Sequence, residues 1–247
     1  GDLRGRRFHH PVTDWLPPNW LTPEEWTAVA LSLKVSFWAV VASLPLGVFT
    51  AYALARWRFP GRQILNGLVH LPLILPPVVT GYLLLLSFGR QGWAGGLLDA
   101  VGLGVAFRWT GAALAAAIMA FPLMVRAIRL SFEAVDPRLE EAAATLGGSR
   151  LWVFLTVTLP LVAPGVIAGA VLAFAKAMGE FGATITFVSS IPGETQTLPS
   201  AIYAFLQVPG AEGSAARLVI VSVVVALSAL FASEWLAQRA ARRVSGA

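Results

Sequence analysis

Cysteine is absent from the chain, which rules out disulfides, thiolate metal sites and thiol nucleophiles. Charge is almost as scarce. Only 13% of the 247 residues are Asp, Glu, Lys or Arg, 57% are hydrophobic, and the mean hydropathy is +0.72, a balance that a soluble surface does not tolerate. Also missing is a Gly-x-x-x-x-Gly-Lys-Ser/Thr loop, so this chain is not expected to bind or hydrolyse ATP. No Ser-His, Asp-Asp or His-Glu-x-x-His arrangement stands in the apolar runs, which argues against an intramembrane enzyme. These absences leave an integral membrane protein. It should be all-α, because only a helix satisfies the backbone of a single segment in lipid.

Five runs are long enough to cross a hydrocarbon core of roughly 30 Å: Ala30 to Ala55, Ile64 to Phe88, Gly111 to Ser131, Pro160 to Phe181 and Ala215 to Leu236. Pro45, Pro72, Pro76, Pro77 and Pro122 fall inside them and predict kinks. The net charge of +5 sits mostly between the runs, which points to membrane orientation rather than to nucleic acid. Arg56, Arg58, Arg62, Arg126, Arg129, Arg138, Arg150, Arg239, Arg242 and Arg243 gather on one side, against Arg4, Arg6, Arg7, Arg90, Arg108 and Arg217 on the other. The excess of positive charge places the first side and the C-terminus in the cytoplasm, and the N-terminus outside.

The chain divides into a polar tail over residues 1–26, a transmembrane domain over 27–239 and a basic end over 240–247. The tail lacks the basic start, apolar stretch and cleavage site of a signal peptide. It opens on Gly1 rather than Met, so an upstream segment is left open. Trp15, Trp20 and Trp26 are expected at headgroup level. His9 and His10 have no third ligand at metal spacing, so no metal site is expected.

One polar interruption stands out in the region 136–160, which contains "EEAAATLGGSRLWVFLTVTLPLVAPG". Asp136 can cap a helix that Pro137 starts, Ala142 to Ala144 favour it, and Gly147-Gly148 end it. A short helix beside the membrane follows, with Arg138, Glu140 and Glu141 available to a partner. The plain alternative is a solvated loop helix that joins two spans.

Glu141-Ala142-Ala143, three residues, Gly147, nine residues, then Val157-Thr158-Leu159-Pro160 resembles the EAA motif of importer-type ABC transporter permeases, with Val where that family usually has Ile. The stretches "LSLKVSFWAVVASLPLGVFTAYALAR", "LPLILPPVVTGYLLLLSFGRQG" and "GEFGATITFVSSIPGETQTLPSAIY" extend the similarity to the molybdate/tungstate permease branch over about Leu21 to Arg239. Sulfate permeases share the Gly-Glu-Phe-Gly-Ala run. The tail is longer than the family pattern.

The resemblance implies a MetI-like permease fold with five transmembrane helices and a cytoplasmic coupling helix. It also implies a homodimeric pathway, two cytoplasmic ATP-binding subunits that carry ATP and Mg, and a periplasmic oxyanion-binding protein. No cofactor is expected in this chain. The coupling set is Arg138, Glu140, Glu141, Ala142, Ala143, Leu146, Gly147, Arg150, Leu151 and Pro160, with Leu146 and Leu151 as apolar anchors and Gly147 admitting close approach or a positive φ.

Hydroxyls and amides suit an anion that must also leave, so Thr80, Thr184, Thr186, Ser189 and Ser190 are placed along the route. The alternative is helix-to-helix packing by the same side chains. Lys176 and Glu180 are four residues apart on one helix face and are expected to pair near the outer gate; Lys34 is expected to snorkel outward. Arg90, Asp99, Glu194, Glu212 and Arg217 are expected on the surface that receives the binding protein, with a plain spacer loop as the alternative. A sulfate permease, an ATPase-independent channel, a secondary transporter and an accessory membrane subunit remain alternatives, although no internal symmetry suggests the secondary transporter.

Overall fold

The computed structural model describes residues 20–102 and 104–245, with side chains to residue 239. The three tail arginines, His9-His10, Trp15 and the side chains of Arg242 and Arg243 lie outside the described residues. All regular structure among the described residues is helical. Helix α1 (Pro23–Arg56) opens on a capping box in which Thr22 and Glu25 satisfy each other's backbone N–H groups. It therefore begins inside the segment expected to be a polar tail. Trp26 projects from its first turn, more than half exposed.

The second apolar run is not one continuous helix. It is α2 (Arg62–Ile74) and α3 (Pro77–Phe88), bent by 113°. Leu75 and Pro76 are extended, because a residue that precedes proline is driven from the helical region; two consecutive prolines turn an expected kink into a break. A short helix α4 (Trp93–Ala100) leads to α5 (Trp109–Ala134), and α6 (Pro137–Thr145) follows at once.

The next span begins ten residues before the expected Pro160. Helix α7 (Arg150–Val153), a π-helical turn (Phe154–Thr158) and α8 (Leu159–Met178) form one 29-residue rod. Pro160 is tolerated because the preceding turn is π rather than α, which relaxes the register a proline disturbs. The rod stops at Met178, so Glu180 and Phe181 lie in a break before α9 (Gly182–Val188). Helix α10 (Leu198–Leu206) and the long α11 (Glu212–Ser245) complete the chain.

Helix α5 is the hub, packed between α1 and α8. Its inner face is alanine-rich, with Ala112, Ala115, Ala116 and Ala120 buried, which lets neighbouring backbones approach. The matching device on α8 is Gly165-x-x-x-Gly169. A Cβ on Gly169 would meet Ile128 Cγ1 at 2.8 Å, and one on Gly165 would overlap the Ser131 side chain. Most of the outward face of α11 is apolar and uncovered, including Val223, Val224, Leu227 and Phe231, as lipid contact requires. Among the described residues, four helices are long and apolar enough to cross a membrane, or five with the bent pair.

Candidate functional site at the coupling end and along the broken helices

Asp136 accepts the Arg138 N–H at 3.0 Å and starts α6. Gly147 N donates to Ala144 O at 3.0 Å and Gly148 N to Ala143 O at 3.3 Å, the pair of bonds that closes a helix on a left-handed residue. Gly147 supplies that residue with φ of +91°, and a Cβ built there meets nothing within 4 Å. Of the two expected roles, positive φ is therefore the one this chain itself requires.

Around this turn lies an apolar surface that none of the described residues covers. Leu146 is 89% exposed and Leu151 68%, with Leu139 and Trp152 about half exposed beside them. Arg138, Glu141, Ala142 and Arg150 are also exposed, and Ala143 is half-buried. Pro160 lies on the outer face of α8, just past the π turn.

Glu140 is different from its neighbour Glu141. Its Oε1 accepts from Arg56 Nη2 at 3.3 Å and from Thr158 Oγ1 at 2.9 Å, and the same Arg56 Nη2 donates to Val135 O at 3.0 Å. Sequence reasoning placed Arg56 only in a charge tally and Thr158 only in a motif. Their partnership joins residues more than eighty positions apart for Arg56, which no local signal reveals.

At the far end of the rod, Lys176 Nζ donates to Glu180 Oε2 at 2.8 Å, and Glu180 Oε1 accepts the Ala183 N–H at 3.1 Å. The carboxylate is buried and thus ties α8 to the first turn of α9 across the break. Helix α9 lies against α3. Thr80 and Thr184 are buried, and Thr186 Oγ1 donates to Gly182 O at 2.7 Å. Thr80 Oγ1 and Ser190 Oγ are buried with no hydrogen-bond partner among the described residues. Ser189 ends α9 with φ of +66°, an uncommon conformation for a residue with a Cβ.

Thr195, which the sequence did not single out, closes the loop between α9 and α10. Its fully buried hydroxyl donates toward Val188 O and Ser189 O and accepts the Ile191 N–H.

Arg90, Asp99, Glu194 and Glu212 are exposed in or beside the connections between helices. Arg217 does not join them. Its guanidinium donates to both Glu25 oxygens, at 3.2 and 2.6 Å, and to Ser214; the demand of a fully buried carboxylate outweighs surface display. Lys34 is exposed with Nζ 3.8 Å from the Trp109 ring centroid, so a cation–π contact holds its head. Two cross-links place α1, α10 and α11 at one end: the Glu25–Arg217 pair and Leu198 N donating to Ser32 Oγ at 2.6 Å. The Arg56–Glu140–Thr158 group marks the opposite end.

A family model described as "Binding-protein-dependent transport system inner membrane component" matches residues 43–242. The chain is 61% identical over 219 residues to the "Molybdenum transport system permease protein ModB" of Escherichia coli K12, covering 88% of this chain and 96% of that protein. It is 53% identical over 221 residues to the protein of the same name in Haemophilus influenzae, at 89% and 96% coverage. The sulfate transport system permease protein CysT of Salmonella typhimurium is 36% identical over 226 residues, at 91% and 80%. In fold, the chain resembles a crystal structure of a bacterial ABC transporter involved in alginate import, with a TM-score of 0.69 at 18% identity, over 90% of this chain and 82% of that one.

Proposed function

The chain belongs to the binding-protein-dependent transport system inner membrane components, and from that premise we propose that it forms the transmembrane pathway of an ABC importer for molybdate. It is a non-catalytic, multi-pass membrane subunit. The observation that carries the coupling role is the uncovered leucine surface around Gly147 on an end otherwise held by charge. An apolar patch of that kind beside polar residues fits a protein partner. Leu146 and Leu151 anchor an ATP-binding subunit, Glu141, Arg138 and Arg150 give the polar rim, and Ala142, Ala143 and Pro160 keep the helix slim and the following rod aligned.

In this reading two copies of the chain enclose the route, two cytoplasmic ATPase subunits hydrolyse ATP with Mg, and an external oxyanion-binding protein delivers the cargo to the Arg90, Asp99, Glu194 and Glu212 face. The Glu140 end and the C-terminus are cytoplasmic. ATP-driven closure of the ATPases carries α6, and the rigid rods rock about their interfaces. Thr80 and Ser190 support a hydroxyl-lined route, since each holds a buried O–H without an acceptor among the described residues, a group that costs free energy until a movement of the helices exposes it to one. Thr184, Thr186 and Ser189 line the same segment, and the Lys176–Glu180 pair shapes its gate. The greater identity to molybdenum permeases than to the sulfate permease favours molybdate. Reconstitution with an ATPase and binding protein tests this: ATP-dependent molybdate uptake is expected, and uptake of sulfate in its place, or transport by this chain alone, overturns it.

A further inference from the structure

We propose that Glu140 is a positioning residue that latches the coupling helix onto three membrane helices at once, so that a push on α6 reaches α1, α5 and α8 together. This rests on the reading of α6 as the docking element. Helix α6 has no fully buried residue, so apolar packing holds it to the body only weakly, and a polar tie carries more of the attachment. Glu140 supplies it: one carboxylate oxygen takes Arg56, the last residue of α1, and Thr158, the last residue of the π turn that leads into α8. Arg56 Nη2 spans the remaining gap by donating to Val135 O, the residue that closes α5.

The group is sheltered. Thr158 is 1% exposed, and the Arg56 and Glu140 side chains are 17% and 24% exposed, so charge strengthens these bonds more than it would at a wet surface. Beside it the same three rods meet a second time through aromatic rings, with Tyr52 of α1 5.3 Å from Phe132 of α5 and 5.2 Å from Phe154 of the π turn. The rods are already rigidly joined there, and Glu140 is what adds the coupling helix to that joint. Glu141 keeps its exposed position for the partner. The two adjacent glutamates thus divide the labour, one facing outward to dock and one inward to transmit.

The test uses the full complex in vesicles and reads molybdate taken up per ATP hydrolysed, together with co-purification of the ATPase. Glu140→Ala should keep the ATPase bound and lower that ratio about tenfold, the worth of a hydrogen bond to a charged group. Thr158→Val, which removes only one hydroxyl, should lower it about threefold. Glu140→Gln, whose amide oxygen can still accept from both Arg56 and Thr158, should recover most of the ratio. Less complex at an unchanged ratio, or a Glu140→Gln ratio as low as that of Glu140→Ala, overturns the latch. Leu146→Asp separates the two readings. If it retains the ATPase, the docking assignment falls; if it releases the ATPase while Glu140→Ala couples normally, only the latch falls.

Discussion

The two ends of this helical body are tied by similar chemistry to different degrees of completion. At one end Glu25 is fully buried, receives two bonds from Arg217 and closes its own helix cap. At the other, Glu140 keeps about a quarter of its side chain in solvent, and four large apolar residues stand uncovered around it. The Glu25 knot is finished within one chain, while the Glu140 end has spare surface. A joint that must only hold can be sealed; one that passes movement to another subunit, as proposed for the Glu140 end, has to leave a face open.

Breaking the sealed end should cost most. Arg217→Met strands a buried carboxylate and should cost roughly 3–5 kcal/mol, read as a lower unfolding temperature in detergent with ATPase association unchanged; if stability holds, the end is not sealed by this pair. Lys176→Met removes one of two partners of buried Glu180 and should cost up to about 3 kcal/mol at the α8–α9 break, seen as impaired uptake. Unaltered uptake kinetics would remove the pair from the gate. Leu146→Asp addresses the open end, where a side chain 89% exposed contributes little to folding. Normal stability with an ATPase affinity weakened by about 2 kcal/mol or more is expected, and a destabilised chain would mean the leucine serves the fold instead. Smallest is Gly147→Asp, which forces a side chain into left-handed backbone at roughly 1–2 kcal/mol. Membrane insertion should persist while hydrolysis runs without matching uptake, and Gly147→Asn should be milder because Asn tolerates this conformation. Normal uptake in Gly147→Asp would dismiss the turn as a coupling element.

Much of the coupling end is legible in the sequence because its determinants are local. Asp136 beside Pro137 starts a helix and Gly147-Gly148 stop one, each through bonds that span five residues or fewer. The Lys176–Glu180 spacing is legible for the same reason. The inward turn of Glu140 is not, since it depends on where Arg56 arrives. Nor is the break at Leu75 to Pro77: two prolines announce a disturbance, but the 113° bend depends on α3 settling against α9, where Gly81 approaches the Ala183 backbone too closely for any side chain. The glycine pair on α8 was hidden for a related reason, because small residues abound in apolar runs and only a crossing partner gives two of them a purpose.

By itself, the sequence determined that the chain is helical and membrane-embedded, roughly where its apolar runs lie, which connections carry positive charge, and where the short helix after α5 starts and stops. These follow from transfer energies and from backbone bonds made within a few residues. Only the tertiary structure decided which of two adjacent glutamates faces inward, that Arg217 belongs to a buried pair, and that Thr80 and Ser190 keep buried hydroxyls without a partner among the described residues. Those outcomes depend on which rods cross and at what angle, and crossing angles arise from side chains far apart along the chain.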